Sequence, residues 1–218
     1  MHIPDGFLDA YWVAITYAAT LGYYAYLSAS GRLRLDTMRV SLITTLAAAI
    51  FAAQMLNWPI PGGTSLHLLG GALAGILLGP AYGSLTLALV LIVQALVFHD
   101  GGLTTLGANI LNMGIIAVLT GYYTFKYTMK LMGTPSSKSL FITGLLAGWA
   151  SVFLAGVACG VEIGLSPRFP YGVEITLPVM GGWHFALGIV EGVITGLVLS
   201  YIYKRDPSII EALRTLGV

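Results

Sequence analysis

Long uninterrupted blocks of apolar residues dominate the pattern of this chain, at roughly 8 to 29, 40 to 57, 81 to 98, 106 to 128, 139 to 162 and 183 to 203. As α-helices, each is long enough to cross about 30 Å of hydrocarbon. A seventh block, HLLGGALAGILLG at 67 to 79, is different. It has about 13 residues and reaches only about 20 Å at 1.5 Å per residue. Such a helix has to begin inside the membrane slab, so the loop NWPIPGGTSL before it has to descend to meet it. Loop backbone at that depth is tolerated only where it lines a protein cavity, and a pocket is therefore expected at that loop. Gly79-Pro80 ends the short helix and starts the next one sharply. The pattern predicts an all-α integral membrane protein with seven transmembrane helices, one of them short and starting within the membrane.

Composition agrees. Hydrophobic residues make up 57% of the 218 positions and charged residues 9%, against about 25% charged in a soluble globular domain. The 28 glycines are spread through the apolar blocks, which suits helices packing closely through small residues in lipid. A lone cysteine, Cys159, excludes a disulfide framework and any Cys-cluster metal site. A net charge of +1 argues against a nucleic-acid partner, and no composition shift marks a second domain, so residues 1–218 are expected to form one.

Orientation follows from the basic residues. With seven helices and the N-terminus outside, Arg32, Arg34, Arg39, Lys126, Lys130, Lys138, Lys204, Arg205 and Arg214 fall on the cytoplasmic side with the C-terminus, and only Arg168 lies outside. His2, His67, His99 and His184 then all sit at outer helix ends. The first block resembles a signal peptide with SAS at 28–30 as a cleavage site, but a signal peptide needs a basic n-region and the first basic residue is Arg32. An uncleaved start is expected, and a bulky second residue spares the initiator Met1.

That start, MHIPDGFL, carries the chemistry. A free amino end followed by histidine is a tridentate ligand. The Met1 amine and His2 amide nitrogen close a five-membered ring on a metal, and the amide with His2 Nδ1 closes a six-membered one. The amide binds only when deprotonated, which favours Ni(II), Cu(II) and less comfortably Co(II) over tetrahedral Zn(II). His67, following GGTS, is the best candidate for the fourth corner. The sequence places it in the first turn of the short helix, capped by Thr64 or Ser65, where the helix dipole keeps imidazole neutral. Pro4 and Asp5-Gly6 allow the amino end to fold back into the pocket. Asp5 and Asp9 are candidates to offset the cation's charge, with Ser65 and His99 as possible outer-shell residues; a polar loop role is the plainer reading of His99. His184 and Glu191 share a face of the last helix seven residues apart. An acid within a membrane segment is functional by default, although packing polar groups between helices would also explain the pair. Asn109 and Asn112 are expected to brace loops.

The chain resembles the NikM/CbiM family, the substrate-binding membrane components of nickel and cobalt energy-coupling-factor transporters. The resemblance rests on MHIPDGFL, GGTSLHLLGG, DGGLTTLGANILNMG at 100–114 and HFALGIVEGVITG at 184–196, over essentially the full length. It implies capture of Ni(II), or alternatively Co(II), by the Met1 amine, His2 and His67 in a seven-helix protein of the prokaryotic cell membrane. It also implies a transmembrane coupling protein, cytoplasmic ATPase subunits and a small accessory membrane protein as partners. The residue before Asp100 departs from the family pattern, so no family role attaches to His99.

The sequence carries no G-x-x-x-x-G-K-[ST] phosphate loop, so ATP hydrolysis is expected in separate subunits and this chain is not expected to be an enzyme. A proton-coupled secondary transporter is the alternative, but it calls for inverted repeats and midplane acids, and only Glu191 lies at depth. A metal enzyme calls for an open coordination position, which four planar nitrogens do not leave.

Overall fold

The computed structural model describes residues 1–216. It is an all-α bundle in which α1 (Ala10–Ala29) and α2 (Thr37–Gln54) precede a helical stretch from Gly71 to Phe98. That stretch is broken at Gly79, whose φ of 78° and ψ of 168° are not helical. Pro80 restarts the helix, and the chain folds back so closely that a Cβ on Gly83 would lie 2.8 Å from the Gly75 amide nitrogen. The two arms are α3 (71–78) and α4 (80–98). α5 (Leu106–Met132), α6 (Ser137–Leu165), α7 (Val173–Arg205) and the short α8 (Glu211–Arg214) complete the chain.

Five stretches are long and apolar enough to cross a membrane: Thr37–Gln54, Gly71–Phe98, Leu106–Met132, Ser137–Leu165 and Val173–Arg205. α1 has 20 residues, about 30 Å of helix, and its tyrosines at 11, 17, 23, 24 and 26 make it more polar. Local sequence sets the helix starts. Asp9 accepts from the Trp12 amide, Asp36 from Arg39, and Ser136 and Ser139 form a reciprocal capping box for α6. α6 and α7 form the largest interface. A Cβ on Gly144 would lie 2.8 Å from Gly196 Cα, and one on Gly148 2.8 Å from Gly192 Cα. The glycines read as membrane packing residues thus form a seam that lets two backbones touch.

Two sequence expectations are corrected. First, α7 begins at Val173, ten residues before its apolar block. The apolar block alone starts the helix at 183, yet Thr176 Oγ1 donates to Gly160 O and ties the first turns of α7 to α6. His184 therefore lies three turns inside α7 and is fully buried, not at its outer end. Second, His67 is not in a helix and neither Thr64 nor Ser65 caps one. Ser65–Leu66 pairs antiparallel with Trp58–Pro59, residues 67–70 are irregular, and α3 starts only at Gly71, after Gly70 at φ 76°. The amides of Leu69 and Gly70 are taken by a carboxylate from another helix, and a left-handed Gly70 blocks helical continuation backward.

The glycine seam yields a test. Gly144→Ala should lower the thermal stability of the detergent-purified protein by about 1–3 kcal/mol, the usual cost of overpacking. Gly182→Ala, with open space around it, should leave the melting temperature unchanged or raised.

Candidate metal centre

The first three residues are core. Met1 and Ile3 are fully buried and His2 is 3% exposed. Met1 and Ile3 pack in one cluster with Leu66, Leu69, Met113, Cys159 and Met180. The backbone is held as firmly as a central strand. Asn109 accepts from the Ile3 amide at 2.8 Å and donates to its carbonyl at 3.1 Å. That carbonyl also accepts from Thr105 Oγ1 at 2.5 Å and from the Gly102 amide at 3.0 Å. Asp5 fixes the arm from the next turn, accepting from the Leu103 and Thr104 amides at 3.2 and 2.7 Å. Gly102 is required here, because a Cβ on it would lie 2.3 Å from the Asp5 amide nitrogen.

The arm's nitrogens converge. The Met1 amine donates to Ser65 Oγ at 2.9 Å and the His2 amide donates to the same oxygen at 3.2 Å. His2 Nε2 lies 3.0 Å from Gln94 Oε1. A carbonyl oxygen can only accept, so Nε2 carries the proton and Nδ1 presents its lone pair. His2 Nδ1 is 3.3 Å from Asp100 Oδ1 but out of line, so it makes no hydrogen bond. The His67 ring stacks on His2 with centroids 4.5 Å apart. His67 Nδ1 donates to Leu68 O at 2.8 Å, which leaves the Nε2 lone pair buried and unpartnered. Among the described residues, no three His, Cys, Asp or Glu side chains come together as metal ligands. A donor set here draws on the main chain: two backbone nitrogens aimed at one point, beside two imidazoles that each hold one proton and one free lone pair. The site lies at the foot of a cleft of about 520 Å³ lined by Asn57, Pro59, Gly63, Thr64 and Ser65 on one side and Asp100 to Leu103 on another. The loop expected to line a pocket does so.

Burial sets the protonation. It draws the Met1 amine down to about 5, against weaker upward pulls from Cys159 and Asp100. It lowers His2, with the nearby amine acting in the same direction and Asp100 and Gln94 opposing. It lowers His67 well below the usual histidine range, helped by the amine and His2. All three are neutral at pH 7, and burial rather than a helix dipole is the cause for His67.

The remaining candidates fall in different places. Ser65 stands at the centre, as described. Asp5 lines the cleft but is committed to the 103–104 loop. Asp9 caps α1 and is tied through its amide to Ser166, so its carboxylate does not face the nitrogens. His99 is exposed at the cleft mouth with φ 54°, ending α4 in a left-handed turn. Sequence reasoning passed over Gln94, which fixes the His2 tautomer, and Asp100, the carboxylate nearest His2. Asp100 is anchored by Asn57 Nδ2 at 3.2 Å. Only the fold brings these residues to the first two, and DGG in a loop gave the one local hint. Glu191 was singled out, but its partners were not. They are the amides of Leu69 and Gly70.

A buried, neutral amine is testable. In metal-free protein, acetylation of the Met1 amine at pH 8 should be at least tenfold slower under native conditions than after unfolding, read by mass spectrometry. Gly102→Ala, which displaces Asp5, should remove most of that protection.

The chain was compared with known proteins. Residues 2–209 match the family described as the cobalt uptake substrate-specific transmembrane region, CbiM. A putative fused nickel transport protein NikMN of Archaeoglobus fulgidus is 51% identical over 214 residues, covering 97% of this chain and 68% of that protein. The cobalt transport protein CbiM of Sorangium cellulosum is 32% identical, covering 99% and 97%. The crystal structure of a truncated transition metal transporter superposes with a TM-score of 0.87 at 34% identity, covering 94% of this chain and 99% of that one. With this match over nearly its whole length and with helices fit to cross a bilayer several times, the chain is a multi-pass membrane protein that belongs to the NikM/CbiM family of nickel and cobalt transport proteins.

Proposed function

We propose that this chain is the metal-capturing membrane component of an ATP-driven nickel importer, with Co(II) as the alternative cargo. The ligands are the Met1 amine, the His2 amide, His2 Nδ1 and His67 Nε2. The observation that supports this reading is the convergence of the first two nitrogens on one partly buried oxygen, beside two stacked imidazoles that each keep a buried ring nitrogen without a partner. On binding, the ion displaces Ser65 Oγ from both nitrogens, and the His67 ring turns out of the stack to complete a planar set. The deprotonated amide favours Ni(II) over Co(II). Asp100, partly exposed in the cleft beside His2 Nδ1, is the first carboxylate that an incoming dication meets.

The distribution of basic residues supports a seven-helix topology with the N-terminus outside and the C-terminus cytoplasmic. The cleft then opens to the outer face. The partners that this reading requires are a transmembrane coupling protein and cytoplasmic ATPase subunits, with a small accessory membrane protein. Uptake that persists in cells holding this chain alone after ATP depletion would point instead to a secondary transporter.

Protons discriminate the ligand set. With the amine and both imidazoles neutral at pH 7, only the His2 amide releases a proton on binding. Calorimetry in buffers of different ionisation enthalpy should report one proton per Ni(II) at pH 7, and affinity should fall about tenfold per pH unit between 7 and 5. Below about 5 the Met1 amine also carries a proton that binding must expel, so the fall steepens. Release of no proton at pH 7 excludes the amide as a ligand. Insertion of one residue between Met1 and His2 should abolish the chelate, and His67→Ala should weaken Ni(II) by about 100-fold or more, beyond the range for outer-shell partners. Both are read by equilibrium binding on the purified protein with its native start.

A further inference from the structure

Glu191 lies near the middle of α7, some 20 Å along the helix from Arg205 at 1.5 Å per residue, and is 3% exposed. Its carboxylate is used twice: Oε2 accepts from the Leu69 amide at 2.5 Å and Oε1 from the Gly70 amide at 2.9 Å. Both oxygens act as acceptors, and each holds one main-chain N–H. An ionisable side chain buried within a membrane helix is costly and is kept where it has work to do.

The peptide units involved reveal that work. The Leu69 N–H and the Leu68 C=O belong to one rigid plane. On one edge of that plane Glu191 accepts the N–H; on the other, the Leu68 carbonyl accepts from His67 Nδ1 at 2.8 Å. The next plane is held in the same way, with Gly70 N–H on Glu191 and Leu69 C=O accepting from Gln54 Nε2 of α2 at 2.7 Å. His67 is therefore joined to a carboxylate through one peptide. A carboxylate on the N–H polarises the C=O, which strengthens its hold on Nδ1–H and makes Nε2 a better donor. This is the logic of a carboxylate–histidine–metal triad with a peptide between the carboxylate and the imidazole.

We propose that Glu191 is the positioning residue for His67. It orients the imidazole and enriches its free nitrogen through the 68–69 peptide, and it ties metal retention to the placement of α7. The inference rests on the reading of His67 as a ligand. A displacement of α7 relative to the 67–70 segment would pull the carboxylate from both planes and loosen His67 without touching the other three nitrogens.

The test is a double-mutant cycle on Ni(II) binding and dissociation with wild type, Glu191→Gln, His67→Ala and the double variant, together with the absorption spectrum of the nickel-loaded protein. Glu191→Gln keeps the volume but turns an NH2 toward one of the amides. It should weaken Ni(II) by about 10–100-fold, speed dissociation and shift the ligand-field band. In the His67→Ala background it should change nothing further. Binding by Glu191→Gln within twofold of wild type, or an equal loss in both backgrounds, overturns the proposal. A His67→Ala protein that binds like wild type overturns the ligand assignment instead. Should Glu191→Gln not fold, Glu191→Asp, one methylene too short to span both amides, enters the same cycle. Hydrogen exchange on the wild type gives an answer without any variant. Nickel should slow exchange at Leu69 and Gly70, and unchanged rates there count against the link.

Discussion

A polypeptide's first nitrogen is ordinarily a solvated cation. In this protein it is fully buried, and the geometry of the site depends on that one fact. A buried ammonium with a single hydroxyl partner is expensive, and the pressure it exerts is relieved by losing the proton, which is why its pKa falls to about 5. Under the proposed reading, the same burial that makes the amine a poor cation leaves its lone pair free to bind a metal. Everything that pins the arm contributes to this state: the three donors on the Ile3 carbonyl, the two-sided grip of Asn109, the Asp5 anchor and the bare surface of Gly102.

The fold supplies the space for this arm by a device common in membrane proteins. α3 is too short to cross a bilayer, so the segment before it runs within the bundle, where its backbone needs internal partners. Those partners come from helices far away in sequence, Gln54 on α2 and Glu191 on α7. The unwound segment therefore reports the positions of two helices to the histidine it carries. Its irregularity is stabilised at both edges rather than being slack.

The sequence allows part of this to be read and hides the rest for definite reasons. Apolar blocks mark the long helices, and Gly79-Pro80 marks the break between α3 and α4, because both signals are local. The start can be proposed as a chelate from sequence because the donor atoms of that proposal lie within two consecutive residues. The location of His67 was misread because GGTS before an apolar run is a normal helix start, and only a distant carboxylate and a left-handed Gly70 explain why the helix waits until 71. The start of α7 was misread because its first turns are held by packing on α6 rather than by hydropathy. Gln94 and Asp100 were invisible for a related reason. One looks like a polar residue inside a membrane helix and the other like a loop acid, and only the approach of α4 to the chain start gives either a role.

Charge explains why such a site is built from backbone and imidazole rather than from a cluster of acids. Under the proposed reading a dication enters a buried pocket whose amine and histidines are neutral. The His2 amide, on losing its proton, contributes one negative charge, and Asp100 beside His2 Nδ1 contributes another. The sum is zero, so the loaded site carries no net charge into the bundle and no buried ion is left uncompensated. Asp5 and Asp9 are not needed in this balance, which fits their commitment to the 103–104 loop and to the α1 cap. A set of three or four carboxylates would hold a dication too, but would leave a cluster of like charges in the metal-free state, which burial and mutual repulsion both penalise. Neutral nitrogens with one carboxylate at the rim let the empty and loaded forms both rest inside the same packed core.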